Sequence, residues 1–298
     1  MRILNYGSLN IDHVYRVGHI VRPGETLPSR EYQVFGGGKG ANQSLAIARA
    51  GGTVCHAGKV GADGEWLLKE LADAGVDVGG VQIGEGPSGH ALIQVDEAGE
   101  NAIVLFAGTN RQIERDRVDS VLSGFGAQDV LLLQNEISEL AHMMNAAAKR
   151  GIRICLNPAP FTESVQALPL EKVGILIANE LEGGALTGER EPAAIVSGLC
   201  ALLPQADIVL TRGAAGVLYG KGEQRLAVPA FAAEPVDTTG AGDTFVGYYL
   251  AEQQRERAVE ACLKTACRAA ALCVARKGAM ASIPTLAEVQ AAERGQPA

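Results

Sequence analysis

Short runs of apolar residues alternate along the chain with longer stretches that have the spacing of amphipathic helices. The runs typical of buried strands are Arg2–Gly7, Val54–Val60, Val130–Gln134, Arg153–Leu156, Ile175–Ala178 and Ile208–Thr211. The helix-like stretches are Ala41–Ala50, Glu65–Ala74, Ser138–Arg150, Pro192–Leu203, Thr244–Glu252 and Ala258–Arg276. Short apolar runs separated by helices indicate β-α-β units on a parallel sheet covered on both faces. We therefore predict a doubly wound α/β fold with a mostly parallel sheet.

Two segments do not follow this alternation. Asp12–Phe35 contains prolines and has no helical period, and His90–Phe106 alternates as two strands about a turn at Glu97–Glu100, which predicts a hairpin. Strands of this kind do not fit a parallel sheet that is buried on both faces. We place them in a small separate β-sheet that forms a lid. The prediction is one α/β domain over residues 1–298, with lid segments at about 12–35 and 88–108.

Composition narrows the classes of partner. The 298 residues, 47% hydrophobic and 20% charged, are typical of a soluble globular protein rather than a disordered one. The formal charge of −8 makes nucleic acids and anionic membranes poor partners, and no apolar run approaches the ~20 residues that span a bilayer. The cysteines form no C-x-x-C pair, and the N-terminus is strand-like rather than signal-like. We expect a cytoplasmic protein with reduced cysteines.

The first glycine-rich loop, Gly36–Asn42, leads directly into an apolar helix. Its glycines let the backbone approach a ligand, and the following helix presents unpaired N–H groups. Gly38-Lys39 is followed by Gly40 rather than Ser or Thr, so this is not a Walker A loop, and the dinucleotide spacing G-x-G-x-x-G is also missing. By itself the loop is equally compatible with a tight helix entry that binds nothing.

The segment Asp237–Phe245 is the stronger signal. The small residues Gly240–Gly242 precede the helix predicted at Thr244, so successive N–H groups can converge on an anion. An aspartate at an anion site is electrostatically costly unless it has a chemical task. Accepting a proton from a hydroxyl that attacks a phosphoryl group is a task that fits Asp243. A helix N-cap is the alternative role of this residue.

Two further polar segments follow predicted strands. Thr211–Gly216 follows one strand and suits a second backbone cradle, and Asn179–Glu182 follows another with side chains that suit a hydrated Mg²⁺. Ligands of open α/β sheets bind outside the carboxyl ends of the strands. Taken singly, however, either segment is also compatible with an ordinary β-α turn.

In collinear order along nearly the whole chain, these segments resemble the ribokinase-like (phosphofructokinase-B type) family of carbohydrate kinases. The motifs that carry the resemblance are Gly7–Asp12, Gly37–Asn42, Asn157–Pro160, Asn179–Glu182 and Asp237–Asp243. The Gly-Gly-Lys-Gly-Ala-Asn form of the second motif is typical of the ribokinases within the family. The resemblance implies the α/β fold predicted above, together with a lid that clasps a sugar and often joins two subunits.

The resemblance also implies roles for individual residues. The catalytic base is Asp243, and the anion hole is Gly240, Ala241 and Gly242. The sugar-binding positions are Asn10, Asp12, Gly38, Lys39, Asn42 and Glu136. The ATP-binding positions are Asn179, Thr211, Gly213, Gly216 and Gly242, and Glu182 belongs to the motif that organises Mg²⁺ and phosphate. A monovalent cation, expected to be K⁺, would use Asp237, Thr239, Cys273, Arg276, Gly278 and Ser282.

The implied reaction transfers the γ-phosphoryl group of ATP to a primary hydroxyl of a small sugar, with D-ribose as the leading candidate. A kinase of the same fold that acts on another pentose, deoxyribose, a hexose or a nucleoside stays open. A non-catalytic sugar- or nucleotide-binding regulator is the more distant alternative, and an NAD-binding oxidoreductase is disfavoured because no dinucleotide fingerprint follows a strand. The expected partners are the sugar, ATP and a second copy of the chain joined through the lid.

The chain departs from the usual family pattern at a few positions. Gly36 adds a third glycine to the first loop, His90, Val104 and Phe106 lie on predicted lid strands, and Tyr248 stands where a small residue is usual. We expect bulky or polar changes on the lid to alter which sugar is enclosed. His90 on a solvent-facing side of its strand is the other interpretation.

Overall fold

Two β-sheets organise residues 1–295, the part of the chain that the computed structural model describes. The strands are β1 Ile3–Tyr6, β2 Asn10–Arg16, β3 Glu31–Gly37, β4 Val54–Gly61, β5 Asp77–Gly84, β6 Gly89–Val95, β7 Asn101–Phe106, β8 Val130–Gln134, β9 Arg153–Asn157, β10 Val173–Asn179, β11 Asp207–Thr211, β12 Val217–Lys221 and β13 Gln224–Val228. The helices are α1 Lys39–Arg49, α2 Glu65–Asp73, α3 Arg115–Leu122, α4 Leu140–Lys149, α5 Glu180–Thr187, α6 Pro192–Leu202, α7 Ala241–Gln254, α8 Val259–Val274 and α9 Leu286–Glu293. The predicted domain's last three residues, 296–298, lie outside this range.

The large sheet has nine strands in the order β13-β12-β11-β10-β9-β8-β1-β4-β5. From β1 the chain moves outward to β4 and β5 on one side, and it then returns to β8 and continues to β11 on the other. These strands are parallel, which confirms the predicted fold class. The carboxyl ends of β1 and β8 form the point where the strand order reverses, which is where ligands bind in open α/β sheets.

The antiparallel hairpin of β12 and β13 at one edge of the large sheet was not predicted. We had assigned hairpin strands only to the lid, because central strands of a parallel sheet are covered on both faces. An edge position removes this restriction, since mixed sheets commonly carry antiparallel strands at the edge. The hairpin closes through Gly222, whose φ is +52°.

Helices cover both faces of the large sheet, as predicted. Neighbouring residues of β1 point to opposite faces, so that Ile3 packs in a core with α1, α2, α7, α8 and α9, while Leu4 packs in a second core with α3, α4 and α6. Both side chains are fully buried. Each contributes roughly 1.5–3 kcal/mol of transfer free energy, so the two cores hold the strand ends in place. Within residues 1–295, no helix has the length and hydropathy needed to cross a membrane.

The small sheet has the strand order β3-β2-β6-β7 and stands over the carboxyl ends of the large one. β3 and β7 are largely exposed, and in β3 only Gly36 and Gly37 are buried, whereas most residues of β2 and β6 are half-buried or buried. Because side chains alternate across a strand, one face carries Asp12, Ile93 and Ile103 toward the cleft below. We call this four-stranded sheet the lid and that surface its inner face.

The lid residues that depart from the family pattern lie on the other, outer face. His90 pairs with Phe106 across β6 and β7, and Val104 is 67% exposed. Strand alternation directs all three away from the cleft, so the expectation that these departures alter the enclosed sugar is wrong for direct contact. Tyr248 is fully buried and donates to the carbonyl of Pro284 at 2.8 Å, which makes it a core residue.

Close packing accounts for Gly36, the additional glycine of the first loop. A Cβ atom on Gly36 would lie 2.5 Å from the sulfur of Met280 and 2.6 Å from Cδ1 of Leu67. Real Cβ atoms do not approach other heavy atoms this closely, so a larger residue here would force the side chains of Met280 and Leu67 to shift. The residue lets the base of β3 pack against the main body of the molecule.

Candidate active site

A cleft of about 370 Å³ opens at the carboxyl ends of the large sheet, beneath the inner face of the lid. All the predicted sugar-binding positions line it: Asn10, Asp12, Gly38, Lys39, Asn42 and Glu136. Asn179, Glu182, Thr211, Gly240, Gly242 and Asp243 also line it. The strand ends thus bring together residues that are more than two hundred positions apart. A second hollow of about 690 Å³ continues from this cleft along the lid.

Helix α7 begins three residues earlier than predicted, at Ala241. Gly240 is its N-cap, with a φ of +77°, a conformation that favours glycine. Asp243 therefore lies in the first turn, and the N-cap role we had considered for it is wrong. N–H groups of the first turn have no acceptor within the helix and can point at an anion. A Cβ on Gly242 would meet no atom within 4 Å, so the space beside this residue is open, whereas the N–H of Ala241 donates to the carbonyl of Thr238 at 3.3 Å.

Asp243 is buried, with 6% of its surface exposed, and two side-chain amides hold it. Asn42 donates from Nδ2 to Oδ2 at 2.9 Å, and Gln43 donates from Nε2 to Oδ1 at 2.8 Å. Both donors come from the first turns of α1, which packs against α7. A carboxylate that accepts a hydrogen bond on each oxygen is fixed in orientation while its remaining lone pairs stay available.

Glu136 follows β8 and uses one of its oxygens to fasten the glycine-rich loop. Its Oε2 accepts hydrogen bonds from the hydroxyl of Ser8 and from the backbone N–H of Lys39, the latter at 3.0 Å. Burial raises the pKa of Glu136, while the Lys39 ammonium counters the shift. The pKa of Lys39 is itself raised, chiefly by the charge of Asp243. The cleft is therefore acidic with one ammonium group set among its carboxylates.

Asp12 and Asn10 reach the cleft from the start of the lid. Burial raises the pKa of Asp12 to about 6, and the nearby Glu136 carboxylate adds to the shift. A Cβ on Gly37 would lie 2.2 Å from an Asp12 oxygen, so this glycine leaves the space that the carboxylate occupies. Asn10 is fixed from behind, because its Oδ1 accepts from Nδ2 of Asn110 at 2.7 Å.

The Asn179-x-x-Glu182 motif forms a helix cap. Asn179 Oδ1 accepts from the N–H of Glu182 at 2.9 Å, and Glu182 Oε2 accepts from the N–H of Asn179 at 3.0 Å. This reciprocal pair is a capping box at the start of α5. Burial raises the pKa of Glu182. The second Glu182 oxygen takes no part in the backbone hydrogen bonds of the cap and faces the cleft that Glu182 lines.

Of the nucleotide positions predicted at the end of β11 and in the turn after it, one lines the cleft and two do not. Thr211 lines the cleft, and its hydroxyl lies 3.3 Å from the carbonyl of Ala178. Gly213 and Gly216 do not line it and lie in the turn that follows. A Cβ on Gly216 would lie 2.1 Å from the carbonyl oxygen of Val228, so tight packing against β13 explains this glycine without a ligand.

The residues predicted to hold a monovalent cation surround the loop before α7. Asp237 accepts from the N–H of Thr239 at 2.9 Å and from that of Gly278 at 3.0 Å, and these bonds lower its pKa against the opposing effect of burial. The Cys273 sulfur lies 3.0 Å from the Ser282 hydroxyl.

Arg276 is the exception, because its guanidinium turns away to Glu288 at 2.7 Å and leaves only its backbone to contribute. No group of three acidic, histidine or cysteine side chains in residues 1–295 is arranged to hold a metal. A cation here would therefore depend on carbonyl and hydroxyl oxygens beside one carboxylate, a donor set that suits K⁺.

Several residues of the site were missed from sequence. Gln43, Asn5, Gln134, Ser8 and Asn110 are all buried and hydrogen-bonded around the cleft. A signal was present, because Asn5 and Gln134 interrupt otherwise apolar strands. A polar side chain in an apolar run must find a partner in the core, so it marks a network before the partner is known.

Comparison with known proteins connects this geometry to an established family. Residues 2–286 match the pfkB family of carbohydrate kinases. A ribokinase of Haemophilus influenzae is 34% identical over 292 residues, which cover 95% of this chain and 95% of that protein. A deoxyribokinase of Salmonella typhimurium is 30% identical over 295 residues, which cover 96% of each.

Solved structures share the same fold over the whole chain. The ribokinase of Cryptococcus neoformans in complex with ADP superposes with a TM-score of 0.86 and 35% identity, covering 98% of this chain and 99% of that one. The ribokinase of Arabidopsis thaliana complexed with ribose and ATP gives a TM-score of 0.84 and 28% identity, with 97% of each chain covered.

Proposed function

The chain belongs to the pfkB family of carbohydrate kinases, and we propose that it phosphorylates the primary hydroxyl of D-ribose to give ribose 5-phosphate. The chain is an ATP-dependent sugar kinase, so the proposal concerns its acceptor and the roles of its residues. The observation that carries it is the single cleft that joins Asn10, Asp12 and Glu136 to Asp243 and the start of α7. The similarity to ribokinases, one of them complexed with ribose and ATP, supports ribose as the acceptor.

Asp243 acts as the general base in this proposal. It accepts the proton of the sugar hydroxyl as that oxygen attacks the γ-phosphorus of ATP and the bond to ADP breaks. The N–H groups of Gly240, Ala241 and Gly242 stabilise the negative charge on the phosphoryl oxygens. One such donor typically lowers the activation barrier by on the order of 3 kcal/mol, because it is already oriented before the reaction.

The sugar is held by groups that accept or donate hydrogen bonds at fixed places. Asn42 Oδ1 is buried and has no hydrogen-bond partner among residues 1–295, so a sugar hydroxyl is its natural donor. Asp12 and the free oxygen of Glu136 are further acceptors. A site of buried acceptors rejects a sugar that lacks a matching hydroxyl, because the acceptor is then left unpaired.

ATP occupies the side of the cleft formed by Asn179, Thr211 and the first turn of α7. Glu182 is the acidic residue near the phosphates, and its free oxygen suits a water of hydrated Mg²⁺. Bound Mg²⁺ supplies charge neutralisation of the phosphates. We place K⁺ at the loop around Asp237, where it supports the geometry of the anion hole.

The lid is proposed to close over the sugar and to pair with the lid of a second chain. Five apolar side chains are exposed on the outer face: Tyr32 at 51%, Val34 at 42%, Leu92 at 43%, Val104 at 67% and Phe106 at 50%. A contiguous apolar surface of this kind marks an interaction site. A homodimer would cover it and stiffen the lid. The six unpaired cysteines suit the cytoplasm.

The test is ADP release from ATP and Mg²⁺ with ribose, deoxyribose, fructose, other pentoses and nucleosides, each with K⁺ or Na⁺. We expect the highest kcat/KM with ribose and stimulation by K⁺. Preference for deoxyribose, which the similarity to a deoxyribokinase makes the second candidate, would replace ribose and retain the chemistry. No turnover with any acceptor, together with ATP binding by calorimetry, would favour a non-catalytic regulator.

A further inference from the structure

A row of buried amide side chains crosses the large sheet and ends at Asp243. Asn5 lies on β1, Gln134 at the end of β8, Gln43 on α1 and Asn157 at the end of β9. The first three are at most 1% exposed, and Asn157 is 9% exposed. Apolar side chains would fill this space without the need for partners. The row therefore requires an explanation beyond packing.

A backbone carbonyl at one end of the row fixes the direction in which its amides donate hydrogen bonds. Asn5 Nδ2 donates to the carbonyl of Gly40 at 2.7 Å, and a carbonyl can only accept. Asn5 Oδ1 therefore faces the other way and accepts from Gln134 Nε2 at 2.9 Å. The second hydrogen of that nitrogen goes to Gln43 Oε1 at 2.7 Å. Since Gln43 Oε1 accepts this bond, Gln43 Nε2 points the other way, toward Asn157 and Asp243.

A second carbonyl sets the same polarity from the other end. Asn157 Nδ2 donates to the carbonyl of Ile177 at 2.9 Å, so its Oδ1 is left to accept. Gln43 Nε2 donates to that Oδ1 at 3.0 Å and to Oδ1 of Asp243 at 2.8 Å. Both hydrogens of this nitrogen are thereby used, and the two ends of the row agree on its direction.

The orientation of the Gln134 amide leaves one of its polar atoms without a hydrogen bond. Its Oε1 is buried and has no hydrogen-bond partner within residues 1–295. Turning the amide over would place that oxygen against Asn5 Oδ1 and Gln43 Oε1, which are both acceptors. One unpaired carbonyl is the smaller penalty, so the amide of Gln134 stays as it is.

We propose that Gln43 is a positioning residue for phosphoryl transfer, and that the amide row forces it to donate to Asp243. This inference rests on the proposed role of Asp243 as the base. Gln43 holds Oδ1 and Asn42 holds Oδ2, so the plane of the carboxylate is fixed before the sugar arrives. Gln43 is not among the residues that line the cleft, so its contribution is expected in kcat rather than in substrate binding.

The first test replaces the amide by an apolar chain of similar length. Gln43→Met is expected to lower kcat by about 10–100-fold, because a small misplacement of a reacting group has effects of this order, and to leave the KM for the sugar within about threefold. The matched control is Gln254→Met at the far end of α7, where the amide bonds Thr53 and Met1, away from the cleft. A folded Gln43→Met enzyme with kcat within twofold of the unmodified protein would overturn the proposal.

The second test reverses the polarity. Gln43→Glu sets an acceptor against Asp243 and Asn157, and only a protonated carboxyl at this position can donate. The ratio of its kcat to that of the unmodified enzyme should therefore increase as the pH falls from 8 to 6. Lys39, Glu136 and Glu182 are charged neighbours of Asp243 in both proteins, so the ratio removes the part of the pH dependence that they contribute equally to both. A ratio that is flat or falls toward low pH would contradict the positioning role.

A third measurement does not depend on turnover. In the NMR spectrum of the unmodified protein, the Gln43 side-chain amide protons should be shifted by their bonds to Asp243 and Asn157, and one of them should move on Asp243→Ala. An unchanged resonance would contradict the contact even if no sugar is ever phosphorylated. Absence of activity in the unmodified protein with a normal Gln43 response would instead reject the proposed function alone.

Discussion

The two sides of the cleft are built in opposite ways. On the floor, Gln43 and Gln134 are at most 1% exposed and their nitrogens are fully hydrogen-bonded. On the lid above, Ile103 lines the cleft and is 55% exposed, and Phe35 lines the adjoining hollow and is 39% exposed. The floor is thus held by hydrogen bonds within the chain, whereas the lid leaves apolar side chains exposed above the cleft.

We infer from this difference that the floor governs phosphoryl transfer and the lid governs the choice of sugar. A buried amide row resists change because each lost bond leaves a polar group unpaired, so the base keeps one geometry. A sheet with fewer buried contacts opens at a lower free energy, so we expect the lid to move more easily than the floor. Changes on the floor should therefore act on kcat, and changes on the lid should act on KM.

The largest effect should follow from removing the base on the floor. Asp243→Asn keeps the shape but removes the proton acceptor, so kcat should fall by about 10²–10⁴-fold with the sugar still bound. Rapid-quench measurement of phosphoryl transfer, with sugar binding followed by calorimetry, gives the two quantities separately. A decrease of less than about tenfold with normal binding would show that another group takes the proton.

A smaller but sharper effect should follow from Gly242→Ala, also on the floor. Its Cβ meets no atom within 4 Å, so the protein should fold normally and gain about 0.5 kcal/mol, because alanine restricts the unfolded chain. The methyl group would occupy the phosphate space, and kcat/KM for ATP should fall by about 10²-fold. Chemical denaturation and kinetics on the same sample test both parts. A loss of stability would indicate that the space is not open.

At the junction of floor and lid, sugar binding should depend on pH through Asp12. Its pKa is raised to about 6, and a protonated carboxyl loses acceptor capacity toward sugar hydroxyls. The KM for the sugar should therefore be nearly constant above pH 7 and rise about tenfold between pH 7 and pH 5, while kcat changes less. Asp12→Asn provides the control, since its KM should be high and lack this titration.

The smallest effect should separate the faces of the lid. Ile103→Val removes one methylene from the inner face and should raise the KM for the sugar by about fourfold, from roughly 0.8 kcal/mol of lost burial. Val104→Ala removes two methyl groups from the outer face and, although this is the larger change, should leave that KM unaltered while weakening association of two chains. Steady-state kinetics and sedimentation velocity measure the two outcomes. Equal KM changes in the two variants would mean that the faces are not functionally distinct.

The sequence predicted the large sheet well because its central strands contain apolar runs such as the first four residues of Val130–Gln134. It did not reveal β5 or the β12–β13 hairpin, where glycines and edge positions weaken the apolar pattern. The helices α3, α5 and α9 were also missed, since eight residues contain too few turns for a clear period.

The site could be predicted where a motif concentrates its residues and not where topology assembles them. Asp243 and its glycines are adjacent in the chain, so their chemistry is readable from order alone. Gln43 becomes a partner of Asp243 only because α1 packs against α7, two hundred residues away. The face on which Val104 lies depends on strand register, which composition does not reveal.

Short connections attach the lid to the body of the molecule. Only residues 7–9 separate β1 from β2, residue 38 separates β3 from α1, and residues 85–88 separate β5 from β6. The lid thus enters and leaves at a few defined crossing points, while every member of the amide row lies outside it. Recombination at those points would exchange the lid between related proteins as a cassette, and substrate range could diversify without re-evolving the catalytic apparatus.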